Sequence, residues 1–394
     1  MNFAFTEEQE QLRREVRDFL EAEIAQGTFQ PREDAWMVGN SREFSRKLGQ
    51  RGWIGMTWPK EYGGGGRSYA ERLVVTEELL RYGAPVHSHW TADRQIGPAL
   101  MGHGTEEQRN KFFPGIIRGD LTVAFGFSEP EAGSDLASLR TTAVEKDNAF
   151  VINGQKVWTS GALEAHYIYM LARTDPEASK HKGLSQFIVD TSLSGITINP
   201  LLDLPGHYHY CEVFFDNVSV PKTALVGEKN RGWYQVGESL VYERAGLERL
   251  MTNYPMYENL IKYVKETKHN GKKLSEIPWI RDRLAELLMK FEAGRLLVYR
   301  AAWLLDRVAE TGYVPNWETA MAKTFCVDFE QQLANTATKI AGICSTLTKD
   351  SKWAPINGMI ARSYLFSPGY SLQGGGSEIL RGIVAMRGLG LPRG

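Results

Sequence analysis

Cysteine is scarce in this chain: Cys211, Cys326 and Cys344 are the only three in 394 residues. They are too few and too dispersed for a disulfide framework or a four-ligand zinc site, and a reducing compartment is the natural setting. Long apolar runs are also missing. Nowhere do about 18 apolar residues follow one another, so no membrane-spanning helix is expected. The opening MNFAFTEEQEQLRREVRDFL carries charges every few residues and has no signal-type apolar core. An excess of one charge is absent too: 46 Lys plus Arg against 47 Asp plus Glu leave −1, which excludes a global field recruiting nucleic acid or an acidic membrane. No Walker loop and no GxGxxG fingerprint occurs, so the standard nucleotide motifs are excluded. What remains is the expectation of a cytoplasmic enzyme. At roughly 100 to 200 residues per domain, the length predicts two or three domains.

The pattern along the chain divides into helices, then sheet, then helices. Thr6 and Gln9 have the spacing of a capping box, and Leu12, Val16, Phe19, Leu20 and Ile24 repeat at helical intervals behind them. Amphipathic stretches broken by Pro59, Gly63 to Gly66 and Pro85 continue to about Asp120. From Leu121 the vocabulary becomes β-branched and aromatic, in LTVAFGFS, AFVING, QKVWTS, YIYMLA, SQFIVD, GITINP, CEVFF and NVSVP. Turn signals at Lys146-Asp147-Asn148 and at Asn153-Gly154 predict hairpins, and together these runs predict an antiparallel sheet or barrel of about 110 residues. After Gly232 the helical pattern returns. Ile280, Leu284, Leu287, Phe291, Gly294, Val298, Ala301, Leu305 and Val308 form an almost heptad seam over 29 residues. Ile379, Leu380, Ile383 and Val384 share a helical face after the turn Gly374 to Gly376. The expected domains are 1–120, 121–231 and 232–394.

Four segments have the composition to carry chemistry. Ala124 to Asp135, AFGFSEPEAGSD, runs from a strand into an irregular turn whose amides and hydroxyls suit a flat heteroaromatic ring or a pyrophosphate; a plain polar loop is the other reading. In NGQKVWTSG, Trp158 beside Thr159 and Ser160 is either a core ring or a ring packed on a cofactor. In ESLVYERAGLERLM, Glu243 and Arg244 flank a stripe of Val236, Leu240, Leu247 and Met251. They read either as a structural ion pair or as a general base beside a guanidinium that holds a polar ligand. In LQGGGSEILRGIVAMRGLGLPR, glycines precede a helix whose first amides can meet a carbonyl or anion. His207 and His209 in GHYHY show no acidic partner at metal spacing, so both are read as loop residues and no metal is expected.

In this order and spacing the segments resemble the acyl-CoA dehydrogenase family, end to end, from FTEEQEQLRREVRDFL through SEPEAGSD, INGQKVWTS and FDNVSVP to GLGLPR. The resemblance implies an α+β multidomain fold: a helical N-terminal domain, a central antiparallel β-barrel-like domain and a C-terminal four-helix bundle. It also implies FAD bound between sheet, bundle and a neighbouring subunit, and a tetramer. Phe125, Phe127, Ser128 and Ser134 then lie along the flavin, Ser134 being shared with the CoA side. Trp158, Thr159 and Ser160 cover the ring's other edge, and Gly376, Ser377 and Glu378 meet the cofactor from the last loop.

Two departures from the family pattern bear on mechanism. Gly374 stands where many members carry the catalytic glutamate, whereas Glu243-Arg244 match the pair that isovaleryl-type and long-chain-type members carry on the first long bundle helix. In KETKHNGKKL, Thr267 and Asn270 replace an Arg and a Phe of the family, so these positions do not support a familiar cross-subunit flavin contact. Both departures are similar to bacterial members acting on sterol side chains and other bulky acyl groups, some of them α2β2 heterotetramers. The implied reaction is α,β-dehydrogenation of an acyl-CoA to the 2,3-enoyl-CoA, as in fatty acid β-oxidation. Glu243 takes the α proton, Arg244 supports the substrate, hydride passes to flavin N5, and electron-transfer flavoprotein accepts the electrons. The alternatives are a flavin oxidase or monooxygenase on the same fold, or a subunit of a heteromeric acyl-CoA dehydrogenase.

Overall fold

The computed structural model describes residues 3–244 and 247–393, without the side chains of Ser239, Leu240, Tyr242, Glu243 and Arg244. Its contacts divide the chain into two units: residues 1–36, 68–84 and 244–394 form one, and residues 37–67 and 85–243 the other.

The first unit is helical. Its opening helix, Glu7–Ala25, starts on the expected capping box, with Thr6 Oγ1 accepting from the Gln9 amide and the Gln9 side chain accepting from the Thr6 amide. Leu12, Val16, Phe19 and Leu20 face inward. On the same inner side Arg13 reaches Glu77 and Glu78 of the helix Tyr69–Arg81, and Glu77 also accepts from Arg295 and the Tyr299 hydroxyl. The predicted seam lies on the helix Pro278–Asp306, where Ile280, Leu287, Phe291, Gly294, Val298, Ala301 and Leu305 are buried, and Val308 falls on the short turn beyond. A Cβ on Gly294 would stand 2.9 Å from Leu250, so this position admits close packing only without a side chain. The helices Glu248–Met251, Tyr254–Glu266, Asn316–Ala341, Met359–Tyr370 and Ser377–Ile383 belong to the same unit. Of the four residues assigned to one face of the last helix only Leu380 is buried, and Ile379 is exposed. That helix is only about two turns long, and Ser377 and Leu380 are its buried residues.

The second unit joins short helices to a sheet of eight strands: β1 (Val123–Gly126), β2 (Thr142–Lys146), β3 (Ala149–Lys156), β4 (Tyr167–Arg173), β5 (Leu184–Asp190), β6 (Ile196–Leu201), β7 (Tyr210–Pro221) and β8 (Leu225–Val226). The order is β6-β7-β3-β2-β4-β5-β8, and β1 pairs with β4. The sheet is mainly antiparallel, as expected, with two parallel pairings added: β1 and β2 share one edge of β4 and both run parallel to it, β1 over Tyr167–Met170 and β2 at Arg173. Burial explains the vocabulary. The apolar runs β4 and β5 are covered on both faces, whereas β3 and β7 alternate. In β7 the inward set switches from Cys211, Val213 and Phe215 to Val218 and Val220, because an extra residue at Asp216-Asn217 bulges the strand and reverses its parity. Phe150, Ile152, Ile168, Met170, Phe187 and Val213 fill the sheet's core, each worth roughly 1.5 to 3 kcal/mol by burial.

One hairpin expectation fails. Asn153-Gly154 lies inside β3, and the strand continues through it to Lys156, because both flanks are paired, with β2 on one side and β7 on the other. Gly154 is there for closeness: a Cβ would come 2.5 Å from Thr141 Oγ1. The Asn-Gly turn forms instead at Asn270-Gly271, both with positive φ, between Lys268–His269 and Lys272–Lys273. Among the described residues no helix is long and apolar enough to cross a membrane.

Candidate active site

Two of the predicted segments meet at the ends of β1 and β3. The Val157 amide donates to Ser128 O at 2.9 Å and thereby joins Phe125–Ser128 to Trp158–Ser160. A buried ion pair fixes the junction. Lys156, fully buried as the last inward residue of β3, donates to Phe127 O at 3.1 Å and to Glu129 Oε1 at 2.8 Å. Glu129 also accepts the amides of Arg140 and Thr141, at 2.6 and 2.9 Å, so one carboxylate gathers both ends of the loop that carries Ser134. Burial raises the Glu129 carboxyl, but Lys156 and the donated hydrogen bonds outweigh it and leave it below the usual range. Burial pulls Lys156 down to about 8, with Glu129 opposing. Ser134 itself is exposed, beyond the bridged turn Glu129–Ala132.

The aromatic residues differ from expectation. Phe127 is buried, with its ring 3.9 Å from that of Phe125 and 5.8 Å from that of Tyr169, so at this position backbone, and not ring, is presented outward. Trp158 is 59% exposed, which removes the core reading. Its φ of 59° is left-handed, a conformation costing about 1 to 2 kcal/mol for a side chain of this kind. The ring rests edge-on against Tyr210 at 5.6 Å. Next to it Thr159 is fully buried, its amide bonded to Cys211 O at 2.9 Å, while Thr159 Oγ1 has no hydrogen-bond partner among the described residues. An orphaned hydroxyl beside a flat, strained, exposed ring fits a heteroaromatic cofactor with edge heteroatoms.

In the other unit a second buried lysine shapes the last loop. Lys323, on the helix Asn316–Ala341, donates to Tyr370 O at 3.2 Å and Gly375 O at 2.8 Å. Gly374 and Gly375 have φ of 66° and 98°, and the chain then enters Ser377–Ile383 with Ser377 buried and Glu378 exposed. Glu243 and Arg244 end the helix Gly232–Arg244, and their side chains lie outside the described residues.

Three contributors were not singled out in the sequence: Glu129, Lys156 and Lys323. Lys156 had a legible signal, because alternation from Phe150 and Ile152 points it inward, where an ammonium demands an acid. His207 and His209 do lie in a loop, outside helices and strands, but one premise of that reading is corrected. An acidic partner exists: Asp203 Oδ2 lies 3.5 Å from His207 Nδ1 and 3.6 Å from His209 Nδ1. Linear spacing does not show this, because a turn closed by Gly206, φ 90°, folds the upstream carboxylate back onto both rings.

Residues 6–120, 124–218 and 230–389 match in turn the N-terminal, middle and C-terminal domains of acyl-CoA dehydrogenase. The acyl-CoA dehydrogenase FadE26 of Mycobacterium tuberculosis (strain ATCC 25618 / H37Rv) is 33% identical, over 100% of this chain and 99% of the relative. The solved structure named Tcur3481-Tcur3483 steroid ACAD has a TM-score of 0.89 at 34% identity, and the ChsE4-ChsE5 complex from Mycobacterium tuberculosis one of 0.86 at 33%, each over 100% of both chains. The chain belongs to the acyl-CoA dehydrogenase family. It is an oxidoreductase of lipid metabolism that dehydrogenates acyl-CoA with FAD as cofactor.

Proposed function

We propose that this enzyme carries out α,β-dehydrogenation of a bulky, steroid-type acyl-CoA with Glu243 as the α-proton base. The observation that carries the base assignment is Gly374. At φ 66° this position of the last loop favours glycine and offers no carboxylate, which leaves the Glu243-Arg244 pair at the end of its helix as the candidate. The substrate class rests on the likeness to the structure named steroid ACAD.

In this reading the protein is organised as domains 1–120, 121–231 and 232–394. Phe125, Phe127, Ser128, Trp158, Thr159 and Ser160 hold FAD from the sheet, with the Thr159 hydroxyl meeting an edge heteroatom. Gly376, Ser377 and Glu378 hold it from the last loop. Ser134 and Arg244 bind the CoA thioester, and Arg244 orients the carboxylate beside it. FAD, when bound, supplies the two-electron acceptor for the β hydride. The chain's own task is to remove the α proton at Glu243 and to hold the acyl chain between base and ring. Electron-transfer flavoprotein is the proposed electron partner, and a homotetramer or α2β2 heterotetramer the proposed assembly.

Glu243→Gln tests the base. The variant is expected to bind FAD and acyl-CoA yet bleach anaerobically about 10²-fold more slowly or worse. Single-turnover bleaching at the wild-type rate sinks the assignment. A panel of short, branched, aromatic and steroid acyl-CoAs tests the substrate class, and preference for short chains overturns it.

A further inference from the structure

The Asp203, His207 and His209 group lies outside the chemistry assigned above. Its ligand atoms all fall within 4.8 Å of one another. Two imidazoles and a carboxylate are a donor set of open zinc-class sites. The spacing is close to what a shared ion needs: donors at about 2.1 Å in a tetrahedron are about 3.4 Å apart, against the 3.5 and 3.6 Å between Asp203 Oδ2 and the two Nδ1 atoms.

The carboxylate is held in place by the backbone. Asp203 Oδ1 accepts the His207 amide at 2.6 Å, while the Asp203 amide donates to His207 O at 2.9 Å and Gly206 N to Asp203 O at 3.1 Å. This closed turn directs the second oxygen, Oδ2, at the rings. Asp203 and His209 side chains are each only 9% exposed, and Asp203 Oδ2 is buried and accepts no hydrogen bond among the described residues. A buried carboxylate oxygen that faces two imidazoles and accepts no hydrogen bond among the described residues is an independent sign that a cation suits this place. The Gly161 amide, bonded to His209 O at 2.7 Å, and the His209 ring, 3.8 Å from that of Tyr210, fix the remaining side.

We propose that Asp203, His207 and His209 form a three-ligand site for a zinc-class divalent cation, with a fourth position open to water or a ligand oxygen. The site is built from the second unit alone and does not depend on the base assignment.

The test uses the FAD-loaded protein after chelator treatment. Titration with Co²⁺, followed by visible d–d absorption and calorimetry, is expected to saturate at one equivalent, with Zn²⁺ displacing the cobalt. Affinity is expected to fall on acidification, since protons compete for the ligands. Asp203→Asn keeps the Oδ1 acceptor and so the turn; it is expected to weaken binding at least tenfold, roughly the least that even an outer partner costs. The His207→Gln/His209→Gln double variant is expected to lose saturable binding with its FAD content unchanged. Absence of saturable binding in the wild type, or equal affinity in either variant, overturns the proposal.

Discussion

Lys156 and Glu129 form a buried ion pair, 2.8 Å from Nζ to Oε1, that locks the strand carrying Trp158 and Thr159 to the loop carrying Ser134. Neither residue is exposed enough to meet a cofactor with its side chain, so the pair acts on the site through the backbone it holds.

Breaking the pair leaves one charge buried alone. Glu129→Gln or Lys156→Met is expected to destabilise the protein by about 3 to 5 kcal/mol, read from denaturant midpoints. The Glu129→Gln/Lys156→Met double variant should recover part of that loss. A single-variant cost within about 0.5 kcal/mol of zero would place the pair among contacts of no consequence.

The two partners govern different ends of the pH range. The Glu129 carboxyl is depressed in the folded state, so its contribution to stability is present above the ordinary carboxylate pKa of ~4.3 and is lost as pH falls through the folded value. Lys156 is depressed to about 8, so the cost of its buried charge is relieved as pH rises from there toward the unfolded value of ~10.4. Denaturant midpoints measured against pH should show a smaller acid loss in Glu129→Gln and no alkaline gain in Lys156→Met; unchanged pH profiles in both variants would refute the assignment.

Trp158 separates folding from cofactor binding. Its ring is largely exposed, so Trp158→Ala should change apoprotein stability by less than about 1 kcal/mol while FAD is lost faster on dilution or filtration. Trp158→Gly should stabilise the apoprotein relative to Ala by relieving the left-handed φ. Equal FAD retention in wild type and Trp158→Ala would remove the ring from the flavin site.

Thr159→Val tests the orphaned hydroxyl. It removes a buried polar atom without a partner among the described residues, so the apoprotein should be as stable as wild type or more so. FAD affinity should drop several-fold, up to about tenfold, for one lost hydrogen bond. An apoprotein destabilised by this change, with FAD affinity intact, would mean that the hydroxyl serves the fold instead.

Gly374→Glu asks whether the loop tolerates the base position used by other family members. At φ 66° the substitution should cost about 1 to 2 kcal/mol, read as a lower thermal midpoint. A variant as stable as wild type would show that the loop adapts freely, and would weaken the reasoning that assigns Glu243.

Local periodicity determined much of this protein. The capping box at Thr6, the seam from Ile280 to Leu305 and the alternation of β3 all follow from side chains that are neighbours along the chain, where 3.6- and 2-residue repeats decide what faces inward. The same alternation points Lys156 inward. What it cannot supply is the partner, since Glu129 arrives from another segment. Tertiary pairing also decided between two identical Asn-Gly signals: Asn153-Gly154 is drawn straight by strands on both sides, whereas Asn270-Gly271, with one short partner strand, turns. Exposure of Trp158, burial of Phe127 and the return of Asp203 onto His207 and His209 belong to the same class. Each depends on which distant or folded-back backbone fills the neighbouring space, and that is settled only when the chain closes on itself.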